Sequence, residues 1–383
     1  MRARNPIYRS IWAMTSLSAM IACAQDVKME TMENKRSNIE KSTGAEKALT
    51  QGTGWEEVFM GGSQEAEKKL FAEVLPKITA IQQTVAARQN AKVRRAFHNK
   101  GDPVRIALKI ADDLPVSLRA GFLKPGAAYD GFGRFSRSQS YSREDKSLDE
   151  RGFAFRVKTE DGPQDVVLSN TPVSFASDPV TFVKAGEIFA NSNVLTAPFK
   201  LAQEFGPWVG FGIAKNLLFK TPDRKISFTS QRYWSRVPFQ LGPGPVAVKI
   251  ILVPVPDVEV RASGNGPAFL MEHLTEELRQ GEKMYKVCVQ LFVDENKTPI
   301  EDAAKEWKEQ DSPLIPIGQL VILQQDLDGE DAKVLAGRVE NTEGFNPWNT
   351  THLRPLGSMN RARKEAYDLS AITRGGRPLG IGG

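Results

Sequence analysis

Apolar residues recur along this chain with two different periods. Over 64–88, Leu70, Val74, Ile78, Ile81 and Val85 fall three or four residues apart, the spacing of one helical face. Pro76 lies inside that stretch and predicts a kink or a division into two helices. From about 93 to 330 the apolar runs become short and are bounded by Gly, Pro, Asp or Asn. Those at 104–110, 152–158, 225–233, 246–253, 285–293 and 318–325 read as strands. Helical pieces separate them at 178–190, 198–220, 267–280 and 300–309. Strands with helices inserted between them predict an α+β domain around an antiparallel sheet or barrel. After a loop holding Pro347 and Pro355, a last helix is expected from Met359. Residues 361–373 contain neither Gly nor Pro, and Gly375-Gly376-Arg377-Pro378 ends the helix.

The N-terminus follows another pattern. Arg2, Arg4 and Arg9 precede a short apolar stretch at 11–22, and Ala22-Cys23-Ala24 offers small residues for cleavage. This predicts a signal peptide over 1–24 and an exported protein, periplasmic or envelope-anchored. Met20-Ile21-Ala22-Cys23 also resembles a lipobox, in which Cys23 is lipidated and tethers the chain to a membrane; plain cleavage is the alternative. Residues 25–53 are polar and read as a flexible tether. The main domain then spans 54–374, with a disordered tail at 375–383.

Composition narrows the function. Cys23 and Cys288 are the two cysteines, so neither a disulfide framework nor a cysteine metal site is available to the mature chain. The net charge of +5 is spread among interspersed acidic and basic residues, with no stripe suited to nucleic acid. No nucleophile elbow, P-loop or dinucleotide fingerprint occurs, which removes the hydrolase, NTPase and Rossmann classes.

Two short patterns carry chemistry. His98, one of three histidines with His273 and His352, lies in the basic run Arg94-Arg95-Ala96-Phe97-His98-Asn99-Lys100-Gly101. It is either a surface residue or a general acid–base group. Arg363 and Tyr367 are four residues apart on the last helix and share a face. Taken alone, they read as a solvated basic turn with a packed ring.

Taken together, three segments resemble the haem catalase superfamily, in particular its small exported members. The first is Arg95-Ala96-Phe97-His98-Asn99-Lys100-Gly101. The second runs from Gly133-Arg134-Phe135-Ser136 through Asp149-Glu150-Arg151-Gly152-Phe153-Ala154 to Asp165-Val166-Val167-Leu168-Ser169-Asn170-Thr171-Pro172, and on to Phe175, Asp178-Pro179 and Phe182. The third is Arg363-Lys364-Glu365-Ala366-Tyr367, with Arg374 beyond it. The likeness covers about 90–190 and 345–375, in a chain shorter than a full catalase.

The resemblance implies an antiparallel β-barrel of catalase type with inserted helices and a C-terminal proximal helix. It implies a haem b cofactor whose iron is held by Tyr367, with Arg363 supporting the ligand. It makes His98 the distal acid–base group, with Ser136 hydrogen-bonded to it. Phe182 would stack on the haem, and Arg95, Arg134 and Arg374 would hold its propionates. Ser169 stands where the family has its distal asparagine and Asn170 stands beside it, so either could meet the peroxide. Phe97 replaces a smaller valine.

The activity implied is haem-dependent decomposition of hydroperoxides, of catalase or peroxidase type, with a small-molecule hydroperoxide as partner. The departures at Ser169 and Phe97 leave open organic or fatty-acid hydroperoxides, as in allene oxide synthase-like members, or haem binding without turnover. Export makes a direct prediction. The intact mass of protein from its native host should lack about the first 22 to 24 residues. An acyl mass on Cys23 would identify lipidation, and a full-length mass would refute export.

Overall fold

The computed structural model describes residues 54–375 apart from 91, 94, 96–97, 99–100, 138–143, 146–149, 193–194, 220–222 and 342–343. The expected signal peptide and tether, Phe97 and the tail from 376 lie outside the described residues.

Eight antiparallel strands close into a barrel. They are β1 (Gly101–Ile110), β2 (Ala128–Arg137), β3 (Arg151–Thr159), β4 (Gly162–Ser169), β5 (Tyr233–Trp234), β7 (Val246–Val255), β8 (Lys283–Leu291) and β9 (Ile315–Ile322). β6 (Phe239–Leu241) and β10 (Leu353–Pro355) extend the sheet beyond β7, and pairing of β8 with both β7 and β9 completes the closure. An α+β barrel with inserted helices is therefore the observed class.

Alternation sorts the side chains. Val104, Ile106 and Leu108 of β1 point inward with Phe135, Phe153, Phe155 and Val157, and all are buried. Phe135 and Phe153 pack with centroids 4.4 Å apart. Tyr233 and Tyr285 are fully enclosed in the same core. Both phenols donate to the carbonyl of Phe228, at 2.9 and 3.0 Å, so neither leaves a buried hydroxyl unsatisfied. The opposite, outer face of β1–β4 carries Arg134, Ser136, Gly152 and Ser169.

The helices lie outside the barrel. Pro76 divides the first helical stretch as expected, into α1 (Gln64–Val74) and α2 (Pro76–Gln89). α3 (Pro179–Ala190) starts where Asp178 accepts from the Thr181 amide at 2.9 Å, with Pro179 in its first turn. The C-terminal helix, α8 (Ser358–Thr373), begins near the expected residue. Phe71, Val74, Leu75, Ile78, Val183 and Ala362 pack together and join α1, α2, α3 and α8 in one cluster. The first turn of α8 is further fixed by Arg361, which pairs with Glu67 at 2.6 Å, Glu57 at 2.7 Å and Glu301 at 3.1 Å.

Three sequence expectations fail locally. The helix expected over 198–220 is two, α4 (Ala197–Phe205) and α5 (Pro207–Phe219), because Gly206 adopts a φ of 81° and Pro207 restarts the helix. The strand expected over 225–233 is mainly a turn, in which Ser227, Thr229 and Ser230 hydrogen-bond one another. The helix expected over 300–309 is a run of turns in which Asp302 caps Ala304 and buried Trp307 donates to the Pro299 carbonyl. The pattern also overlooked β2 and β4, along with α7 (Glu330–Asn341). The outward positions of β2 and β4 carry arginine, serine or aspartate, and Arg134, Ser136, Asp165 and Ser169 are buried. α6 (Phe269–Gln280) matches its expected span closely.

Lys249, inward of the covering loop on β7, is 3% exposed, and its Nζ has no hydrogen-bond partner among the described residues. The ammonium instead lies 4.7 Å from the centre of the Trp307 ring. Burial pushes its pKa down to about 7 from 10.5, against the smaller opposing pull of Asp302 and Glu306. Between those values the unfolded chain holds a proton that the folded chain lacks, so folding is penalised increasingly as pH falls, and constantly below about 7. Lys249→Met should therefore raise the melting temperature at pH 7, by an effect of roughly 3–5 kcal/mol. The gain should shrink as pH rises from 7 to 10. A gain that is independent of pH would contradict this account.

Candidate active site

A row of residues across three strands forms the floor of the site. Ser136 of β2 pairs with Gly152 of β3, which pairs with Ser169 of β4, so all three face outward side by side. The His98 ring lies against the middle of this row, with its Cε1 and Nδ1 over Gly152. A Cβ on Gly152 would stand 2.7 Å from His98 Cε1, 2.8 Å from Nδ1 and 2.9 Å from Ser136 Oγ. Only glycine leaves room for the imidazole. His98 itself has a φ of 55°, an uncommon conformation for a non-glycine residue and one that aims its ring back onto the sheet. Arg134, beside the row on β2, holds the His98 carbonyl at 3.0 Å.

The tautomer follows from the hydrogen bonds. Ser136 Oγ donates to the Gly152 carbonyl at 3.4 Å and lies 2.9 Å from His98 Nδ1. With its own hydrogen directed at the carbonyl, the hydroxyl accepts from Nδ1–H. Nε2 is then the bare nitrogen, and it has no hydrogen-bond partner among the described residues. One edge of the residue remains accessible, but the ring is enclosed. Burial pushes its pKa down to about 3, reinforced by the positive charges of Arg134, Arg236, Arg363 and Arg95. The imidazole is neutral across the physiological range and acts at Nε2 as an acceptor.

The two candidates for the distal polar group part ways. Ser169 faces the site, in the row with Gly152. Its hydroxyl hydrogen goes to the Arg151 carbonyl at 3.2 Å. Asn170 is turned away: its Oδ1 accepts from the Arg151 amide at 2.8 Å and its Nδ2 donates to Gln231 Oε1 at 2.7 Å. That buried network holds Asn170 away from the row, and the Ser169 hydroxyl has its one hydrogen directed at the backbone.

Sequence reasoning missed the residue that fills this corner. Arg236, 67 residues after Ser169, sends its guanidinium onto Ser169 Oγ and Thr171 Oγ1 and pairs with Glu150 at 2.6 Å. It occurs in Tyr233-Trp234-Ser235-Arg236-Val237-Pro238, which matches no motif, and nothing in that run announces its φ of 61°.

The other wall comes from α8. Arg363 Nη2 donates to Tyr367 Oη at 2.7 Å, one turn apart as the spacing implied, and the same charge reaches His98. Phe182 on α3 stacks on Phe175 with centroids 4.6 Å apart. Arg95 donates to the Val339 carbonyl at 3.0 Å near the end of α7, and its charge also acts on His98. Arg374 caps the C-terminal end of α8. His98, Ser136, Ser169, Arg134, Arg95 and Arg363 thus converge, whereas Asn170 leaves the group.

Comparison with known proteins shows what the chain resembles. The catalase family model matches residues 64–190. Catalase A of Pseudomonas putida is 26% identical over 274 residues, covering 63% of this chain and 54% of that protein. The Streptomyces coelicolor catalase is 37% identical over 90 residues, covering 23% of this chain and 18% of that protein. The chain spans about half the length of the first of these relatives. Among solved structures, a fungal catalase superposes with a TM-score of 0.60 at 19% identity, covering 78% of this chain and 61% of that one. Catalase A from Saccharomyces cerevisiae gives 0.59 at 20% identity, covering 79% and 64%.

The glycine under His98 makes a testable prediction. Gly152→Ala should displace the ring and break its bond to Ser136, while leaving the inward-facing core intact. In nitrogen-detected NMR of the chain prepared without cofactor, wild-type His98 should stay protonated at Nδ1 and bare at Nε2 down to about pH 4, given its pKa of about 3. In the variant it should titrate nearer the ordinary value of 6.5. An unchanged His98 titration would remove the steric argument.

Proposed function

We propose that this chain, whose residues 64–190 match the catalase family model, is a member of the haem catalase superfamily that binds haem b and decomposes hydroperoxides, acting after export. The donor set suits that cofactor. A tyrosine oxygen accepting from an arginine, as Tyr367 does from Arg363, is a fitting ligand for ferric iron. Several guanidinium groups gathered about His98 suit the two carboxylates of haem, with Arg95, Arg134 and Arg374 to hold them. Phe182 offers an aromatic face to the macrocycle. When bound, haem supplies the redox-active iron at which the peroxide O–O bond is broken.

The observation that carries this proposal is the His98 ring enclosed over Gly152, with Nδ1 2.9 Å from Ser136 Oγ. Nε2 can take the proton from one peroxide oxygen and return it to the other as they separate, which is general acid–base catalysis. Ser136 keeps the ring in the tautomer that leaves Nε2 free, and Gly152 leaves room for the ring against the sheet. Ser169 in place of an amide donor favours slow hydrogen peroxide turnover, with organic hydroperoxides consumed alongside.

Expression with ample haem, followed by an absorption spectrum and oxygen-electrode assays, tests the proposal. A Soret band and peroxide-dependent oxygen release are expected. Tyr367→Phe should lower haem occupancy and alter the ferric spectrum. His98→Ala should keep haem but slow hydroperoxide consumption about a hundred- to ten-thousandfold. Because His98 is neutral above about pH 4, the wild-type rate should show no acid limb from this group between pH 5 and 9. Failure of well-folded protein to take up haem would overturn the proposal.

A further inference from the structure

In the resting site a hydroperoxide beside His98 meets an acceptor and no donor. Its own O–H can be given to Nε2, and until that proton is returned the second oxygen gains negative charge as the O–O bond breaks, a charge that a further hydrogen-bond donor would stabilise. His98 is neutral and bare on that side. The Ser169 hydrogen is spent on the Arg151 carbonyl, and the Asn170 amide is turned to the Arg151 amide and Gln231. Ser169 therefore has no further hydrogen to give, and Asn170 is held away from the row by its own partners.

One cationic donor reaches the same corner from another strand. Building on the haem assignment above, we propose that Arg236 is the second distal group of this site, donating from its guanidinium to the hydroperoxide oxygen that His98 does not hold. Its placement is elaborate. Nη2 contacts Ser169 Oγ, Thr171 Oγ1 and Glu150, and Nε points to the Thr171 carbonyl at 3.4 Å. Nη1 has no hydrogen-bond partner among the described residues. Glu150 is itself held by Thr171 at 3.3 Å, so the guanidinium plane is fixed from behind. Ser169 accepts from Arg236, which puts the guanidinium one strand away from the glycine that His98 covers.

The backbone points the same way. Among the described residues, three non-glycine residues have positive φ: Asn90, His98 and Arg236. Asn90 ends α2, where left-handed geometry is ordinary. The other two flank one site. Strained conformations persist where surrounding structure enforces them, and such strain clusters at functional positions. A planar guanidinium also differs from an amide in carrying full charge, so it favours a substrate that leaves as an anion, the alkoxide of an organic hydroperoxide included.

Fluoride binding to the ferric, haem-loaded protein tests the proposal without relying on turnover. Fluoride is a small anion whose affinity reports distal donors, and neutral His98 cannot donate to it from Nε2. Arg236→Gln paired with Glu150→Gln removes the charge without leaving a buried carboxylate alone. This pair should weaken fluoride about tenfold or more, the effect of a charge-assisted hydrogen bond. Glu150→Gln alone should retain most of the affinity, and Arg236→Lys should fall between. A paired variant with full haem content, a normal melting curve and wild-type fluoride affinity would overturn the role of Arg236 while leaving the haem assignment standing. A well-folded wild-type chain with no Soret band would overturn the assignment itself, and this inference with it.

Discussion

The absence of one side chain governs the site. Ser136, Gly152 and Ser169 lie in register across three strands, and the imidazole of His98 occupies the space above the central one. The floor is rigid because its reverse side is the barrel core, where Phe135 and Phe153 pack against each other. Strand register thus fixes three functional positions at once. A slip by one residue would present Phe153 to the site and Gly152 to the core. The chemistry of His98 depends on that floor: Ser136 selects the tautomer, and enclosure keeps the ring neutral.

Positive charge is the second organising feature. Arg134, Arg236, Arg363 and Arg95 arrive from β2, the segment after β5, α8 and the strand-preceding loop, and all act on one imidazole. Assembling like charges around an enclosed ring is unfavourable unless anionic groups offset it. Glu150 offsets Arg236 directly. A dianionic cofactor would offset others, which is why the charge distribution and the proximal Arg363–Tyr367 pair are mutually consistent. The helix bearing that pair is held at its first turn by Arg361 and its three carboxylates and along its length by the cluster with α1, α2 and α3. These contacts explain how a helix at the end of the chain is presented to strands two hundred residues earlier.

Much of the frame was legible from the order of residues. The 3.6-residue period with Pro76, the Asp178-Pro179 start and the uninterrupted run after Met359 each encode local geometry, and those elements formed within a few residues of expectation. The elements that misled did so for local reasons. Hydroxyls at Ser227, Thr229 and Ser230 satisfied one another instead of a ladder, and Gly206-Pro207 divided an apolar stretch that otherwise looked continuous. β2 and β4 lacked the usual apolar and polar alternation because their outward faces are covered and carry arginine, serine or aspartate.

The sequence by itself determined which residue types were present and at what spacing: a histidine in a basic run, Ser136 and Ser169 in segments of family-like order, and arginine four residues before tyrosine. Such information is local, and periodicity and turn chemistry transmit it. Tertiary structure alone decided which of Ser169 and Asn170 faces His98, because adjacent residues on a strand point to opposite sides and only pairing selects the side. It also alone brought Arg236 to that corner. A contact across 67 residues arises from barrel closure and a single left-handed backbone position, and neither leaves a trace in the neighbouring residues.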